Sequence, residues 1–359
     1  MRVKTIYSGI LILCLFNCRG YDAAGKLPIR ALELPARRPS GPLSLFTAGD
    51  GLAAVFTEAE SASLEILEIP LGRFEDGKAP IAVFADKIAD GPTPLPDFGA
   101  YASGKIDGVL HLLYLDRKRE NSPILKWLTH AENGPWMADV LETQSSSWPI
   151  AVVGDGSGNA ILFWISGTAL FARLQAGGVR EIMSGISPGS SGSVSGTGFS
   201  YFDPVSGDSR FFSLRGESVD SIVMGDAGPI QCAGRTPNGL PAVMTYAAAE
   251  KRIFLLEQTG DAGQIKKTTV ALAEETRSLF FTGYRGGYAF LYDGIGKAAE
   301  GSLGYFLSLL LPVGRRYEKF TVMESEMPIT AFAAVIEDSV LYVLALQKSL
   351  KLFEVSLPN

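Results

Sequence analysis

From Leu43 to the C-terminus the hydrophobic and polar positions fall into a loose repeat. A short apolar run is followed by a tight polar turn rich in Gly, Asp or Asn, and then by a stronger apolar run. The repeat reads LSLFTAGDGLAAVF from residue 43, GAYASGKIDGVLHLLYL from 99, IAVVGDGSGNAILFWI from 150 and GFSYFDPVSGDSRFFSL from 198. It continues as IQCAGRTPNGLPAVMTY from 230, SLFFTGYRGGYAFLY from 278 and ITAFAAVIEDSVLYVLAL from 329, so that successive starts lie 56, 51, 48, 32, 48 and 51 residues apart. The turns carry Asp50-Gly51, Asp107-Gly108, Asp155-Gly156, Asn238-Gly239 and Gly286-Gly287, dipeptides that take the positive φ angles tight hairpins need. The second run of each pair, such as AILFWI or VLYVLAL, is continuously apolar, the pattern of a strand buried on both faces. Later runs such as TALFARL and SLKLFEV alternate more.

Seven such units predict an all-β fold, a β-propeller of about seven blades built from short antiparallel strands. Two β-sandwiches in series have the same strand content. The fourth unit, 32 residues to the next start, is expected to lack a strand. The last has about three strands before Asn359, so the segment near Leu27–Leu34 is expected to supply a fourth and close the ring. Forty glycines and twenty prolines agree with many turns, and a chain that is 47% hydrophobic and 19% charged has ample material for a core. No WD, kelch or Asp-box signature is present, so the likeness to propellers is architectural.

The stretch before the repeats is of another kind. Arg2 and Lys4 precede an apolar run from Ile6 to Phe16, too short for the roughly 20 residues of a membrane-spanning helix but of the proportions of an export signal. It ends in Leu15-Phe16-Asn17-Cys18, which resembles the lipobox of bacterial lipoproteins in its looser, spirochaete-type form. Asn17 departs from the usual Gly, Ala or Ser. The resemblance implies cleavage of residues 1–17, lipid attachment at Cys18, and residence in the bacterial cell envelope, at the periplasmic face or the cell surface. Cys14 fits less well because Leu13 would precede the cut. Residues 18–42 then read as the lipidated cysteine and a tether, part of which is able to close the last blade, and residues 43–359 as the propeller domain.

The formal charge is −6, and loss of Arg2 and Lys4 with the leader takes it to −8. With no long basic run, nucleic acid is a poor partner. Cys18 and Cys232 alone would remain, too few for a disulfide framework.

The candidate chemical motifs each have a plainer reading. Gly-Ile-Ser-Pro-Gly at 185–189 matches a hydrolase nucleophile elbow, but SSGSVSGTG follows where that motif needs a helix, so a flexible loop is expected. His111 and His130 are the only histidines and lack metal-ligand spacing, and no cofactor is implied. Cys232 sits in an apolar strand and is expected to be a buried thiol. Asp155-Gly-Ser157-Gly-Asn159 is a thinned calcium loop without its distal carboxylates, better read as a hairpin turn, as are Asp50, Asp107 and Asp208. DRKREN at 116–121 reads as a solvated hairpin. The four tryptophans, Trp127, Trp136, Trp148 and Trp164, fall close together, with Trp164 expected in the core and Trp148 in a loop before Pro149.

Two functional classes follow. One is a lipid-anchored propeller that binds or scaffolds proteins or envelope components; the other is a propeller enzyme, glycosidase- or lactonase-like. The expected innermost strands, LSLFT, AYASG, AVVG, FSYF, IQCAG, LFFTG and TAFAA, carry neither acid nor histidine, which favours binding. The long connections FADKIADGPTPLPDFG (84–99) and SGISPGSSGSVSGTG (184–198) point to the face on which the chain enters each blade. The expected patch there comprises Trp148 with Asp97, Phe98 and Tyr101.

Overall fold

The computed structural model describes residues 27–358 apart from short connecting stretches, the longest being 72–82, 90–100 and 117–123. Among the described residues the chain forms seven four-stranded antiparallel sheets. Six use four consecutive strands each; the seventh takes Ala331–Glu337, Val340–Leu346 and Leu350–Ser356 and completes itself with Ile29–Leu34. The expected closure therefore exists: Ile29 pairs with Val355 and Leu34 with Leu350, joining the start of the ring to its end without a loose seam.

The hairpin turns form as their residues dictate. Asp107 and Gly108 (φ 48° and 78°) and Asp338 and Ser339 (46° and 66°) are pairs in the left-handed region that join an inner strand to its neighbour. The turn expected at Gly286-Gly287 instead uses Arg285 and Gly286 (50° and 71°), which leaves Gly287 free to pair with Tyr284. We call the face bearing these turns the lower face, and the face on which the chain enters each blade the upper face.

Second strands are the most buried elements. Every residue of Gly51–Glu58 and of Ala160–Ser166 is buried, because neighbouring blades press on both sides. The hydrophobic clusters accordingly lie between blades. One joins Leu45, Ala54, Phe56 and Leu67 of the first blade to Leu34, Leu344, Leu346 and Leu352 of the seventh. Each large side chain so buried contributes about 1.5–3 kcal/mol. In five blades the third and fourth strands shift register through a bulge, for example at Leu170/Phe171, Leu307/Ser308 and Leu125/Lys126. Such bulges bend an exposed edge away from further pairing.

The fourth blade corrects two expectations. It has all four strands, Ser191–Ser195, Gly198–Phe202, Asp208–Arg215 and Ser218–Asp226. The unit starting at residue 198 is its second and third strands, not its first and second, which is why the spacing shortened to 32. The serine- and glycine-rich segment is the inner strand itself, paired residue for residue with Phe202 to Gly198. Likewise, residues 84–89 of the expected long connection belong to the outer strand Val83–Ala89. Cys18, the leader and DRKREN after Asp116 lie outside the described residues.

Candidate functional site

The upper mouth of the central channel is framed by the first residues of the inner strands. Tyr101 opens the inner strand of the second blade, Tyr101–Ile106. Its hydroxyl donates to the Val55 carbonyl at 2.7 Å, with the Pro42 carbonyl a second acceptor at 3.0 Å, and burial pushes the phenol well above its ordinary pKa. Tyr101 is 5% exposed, so it ties the first blade to the second and offers little to a surface patch. Along the same seam Ser44 and Ser103 share a hydrogen bond of 2.7 Å, and the Lys105 ammonium donates to the Thr47 carbonyl.

Trp148 stands in a strand, not a loop. It is the second residue of Ser147–Gly154, opposite Ile165. Half-buried, it packs on the clusters at both sides of the third blade. Asp97 and Phe98 lie outside the described residues. The structure thus brings Tyr101 and Trp148 to the start of adjacent inner strands, one buried and one half-covered.

A charged site that the sequence reading passed over lies across the mouth. The inner strand of the sixth blade begins three residues before the apolar run that announced it, at Glu275, and bulges between Thr276 and Ser278. The bulge carries Arg277. Its guanidinium donates to Asp293 Oδ2 at 2.6 Å and to the Ile329 carbonyl at 2.9 Å, while the Ser278 N–H donates to Asp293 Oδ1 at 2.6 Å. Tyr305 lies beneath the guanidinium at 5.4 Å. Burial pushes the Asp293 carboxyl up, against the opposing pull of Arg277 and the Ser278 N–H. The signal in the sequence was Asp293 itself, an acid inside the apolar run GYAFLYDGIG. Both its oxygens are occupied within the sixth blade, and Arg277, so held, locks that blade through the Ile329 carbonyl to the segment that enters the seventh.

The remaining candidates are also engaged within the scaffold. His111 is buried and accepts a hydrogen bond from Trp127 Nε1 at 3.2 Å; desolvation lowers its pKa to about 4, so the imidazole is neutral at physiological pH. Arg173 covers Trp127 at 5.5 Å and pairs with Asp139 at 3.0 Å, linking the third blade to the second. His130 stacks on Trp136 at 4.5 Å, and Trp164 is in the core. Cys232 is buried in an interblade cluster. Asp155 holds its own turn: although what burial it has acts upward, hydrogen bonds from Asn159 and Ser157 bring its pKa down to about 2. Among the described residues no three His, Cys, Asp or Glu side chains converge as metal ligands, and no helix is long and apolar enough to cross a membrane.

No protein-family model and no curated protein matches the chain. Solved structures do. The chain is similar to virginiamycin B lyase from Staphylococcus aureus (TM-score 0.58, 13% identity, 93% of this chain and 100% of that one). It is similar also to YCF48 bound to D1 peptide (0.54, 12%, 94% and 97%) and to the polysaccharide lyase Uly1 (0.51, 12%, 90% and 90%). At such identities the likeness is one of fold, and the fold is that of a seven-bladed β-propeller.

Proposed function

We propose that this is a lipid-anchored envelope protein whose propeller binds protein or envelope components on its upper face. The observation that carries the reading is how two described side chains near the upper mouth, Tyr101 and Asp293, are spent. Tyr101 gives its hydroxyl to backbone carbonyls, and Asp293 is closed off by Arg277 and the Ser278 N–H. Groups committed in this way hold a scaffold together and leave little for general acid–base work. The structural neighbours include lyases and a peptide complex, so the fold favours neither class. Anchoring at Cys18 rests on the lipobox-like Leu15-Phe16-Asn17-Cys18, and two or three acyl chains suffice for stable attachment.

The test is photocrosslinking in intact cells. A photoreactive residue at Trp148 or at Lys348, exposed in the bend that joins two strands of the seventh blade on the upper face, is expected to give a discrete adduct. The same residue at Asp107 on the lower face is expected to give none. Adducts from Asp107 alone would overturn the reading, and turnover of a glycoside or lactone abolished by one carboxylate substitution would establish the enzyme instead. Cys18→Ala is expected to abolish palmitate labelling and move the protein to the aqueous phase of a detergent partition, whereas Cys14→Ala leaves both unchanged.

A further inference from the structure

The closing strand decides which face of the ring is near the anchor. Ile29 lies level with Val355, Leu341 and Ile336, at the end of the seventh blade that bears the Asp338–Ser339 turn. The chain therefore joins the propeller at the rim of the lower face, where the Ser356 N–H donates to the Pro28 carbonyl and the Leu357 N–H to Ser339. Cys18 and Pro28 are only ten positions apart, a span of at most roughly 35 Å.

The surface beside that junction has the chemistry of a membrane interface. The Tyr284 hydroxyl donates to the Pro358 carbonyl at 2.6 Å, which carries the rim from the seventh blade to the sixth. Arg285 follows in the turn, its guanidinium 5.4 Å from the Tyr284 ring. Pro312 lies against the same turn at Gly287. Val313, 47% exposed, is paired with the exposed Arg316. A tyrosine, an exposed aliphatic side chain and two arginines thus lie together on the rim of the sixth blade, with Glu337 and Asp338 the acids at the neighbouring turn of the seventh and Glu318 two residues beyond Arg316, in a chain whose formal charge is −6. Aromatic rings settle at the headgroup level, and arginines meet anionic headgroups there.

We infer that the lower rim of the sixth blade, Tyr284, Arg285, Val313 and Arg316, docks on an anionic bilayer surface and so turns the upper face away from the membrane. The inference rests on the lipid anchor at Cys18 proposed above. The opposite orientation is disfavoured by reach. A strand of the seventh blade runs about 20–25 Å from lower to upper face, so the segment would have to double back along the blade and use most of its reach to do so.

The test uses full-length lipidated protein, purified from cells and reconstituted in vesicles of phosphatidylethanolamine with a minor share of phosphatidylglycerol. A donor dye is placed at Ser339→Cys, exposed in the lower-face turn beside that rim, or at Val205→Cys, 80% exposed on the upper face, and energy transfer is read to a headgroup acceptor. Cys232 is buried and stays unlabelled. Strong transfer from position 339 and weak transfer from position 205 is expected. Arg285→Glu with Arg316→Glu should leave flotation with the vesicles intact yet lower the transfer from position 339 roughly threefold or more. Omitting phosphatidylglycerol should do the same to the unmodified rim. Equal transfer from the two sites, or unchanged transfer from position 339 in a double variant that still floats, overturns the docking while the anchor stands. Failure of the unmodified protein to float, with no palmitate at Cys18, overturns the anchor and the docking with it.

Discussion

Gly234 and Phe281 share one space between two blades: a Cβ built on Gly234 would fall 2.2 Å from the Phe281 Cζ. Gly234 belongs to the inner strand Ile230–Arg235 and Phe281 to the next inner strand, Glu275–Tyr284. The ring cannot step aside, because it is 1% exposed and packs on Tyr288 at 5.6 Å and Phe290 at 6.5 Å. A missing side chain on one blade is thus the seat for a large one on the next. Gly104 makes a similar fit against backbone, where its Cβ would lie 2.7 Å from the Val152 carbonyl oxygen.

Gly234→Ala is therefore expected to destabilise the ring by about 1–3 kcal/mol through overpacking. In a Phe281→Leu background the same substitution should cost markedly less, since the smaller side chain vacates the contact. Urea denaturation of the four proteins of this cycle measures the coupling. Equal costs in both backgrounds would show that the two positions do not compete for space.

The closing strand makes a second prediction. Leu34 is 3% exposed and belongs to the cluster shared by the first and seventh blades. Leu34→Ala should cost about 2–4 kcal/mol. Arg30→Ala, on the same strand but exposed, should cost well under 1 kcal/mol. Deleting residues 27–34 exposes the edge of Leu350–Ser356, and aggregation on light scattering is the expected consequence. A soluble, fully stable deletion would mean that the seventh blade holds with three strands.

His111 predicts a pH dependence. Its folded pKa of about 4 lies below the ordinary 6.5, so between those values the unfolded chain binds more protons than the folded one. Its contribution to stability is complete above pH 6.5, falls as the pH drops toward 4, and changes no further below that. His111→Gln retains an acceptor for the Trp127 N–H without titrating. Between pH 7.5 and 4.5 the unmodified protein should lose on the order of 2 kcal/mol more than this variant in urea melts. Parallel losses would show that the imidazole titrates normally.

Asp293→Ala leaves the Arg277 guanidinium without its carboxylate. Arg277 retains a third of its exposure, so the expected cost is about 2–3 kcal/mol, below that of breaking a wholly buried pair. Asp293→Asn should cost less, because an amide oxygen still accepts from Arg277 or from the Ser278 N–H. If the alanine variant melts at the native temperature, the pair is not what joins the sixth blade to the seventh.

Much of this architecture was legible in the order of residues. Continuous apolar runs such as AILFWI announce strands covered on both faces, Asp107-Gly108 announces a two-residue turn, and seven recurrences announce a ring, because these are local consequences of side-chain hydrophobicity and backbone sterics. The need for a closing strand near Leu27–Leu34 followed from a last unit one strand short. Other features depended on contacts between residues far apart in the chain. Ser191–Ser195 is a strand because Gly198–Phe202 supplies its partners, and nothing in SGSVS favours pairing. Trp148 reads as a loop residue beside Pro149 and becomes strand by pairing with Ile165. Arg277 and Asp293 are 16 positions apart and meet through a bulge that no local pattern encodes, and Tyr101 is buried by carbonyls from the preceding blade. Local pattern determined the elements and their number; packing between blades decided which polar groups were consumed by the scaffold, because that depends on distances set only when the ring closes.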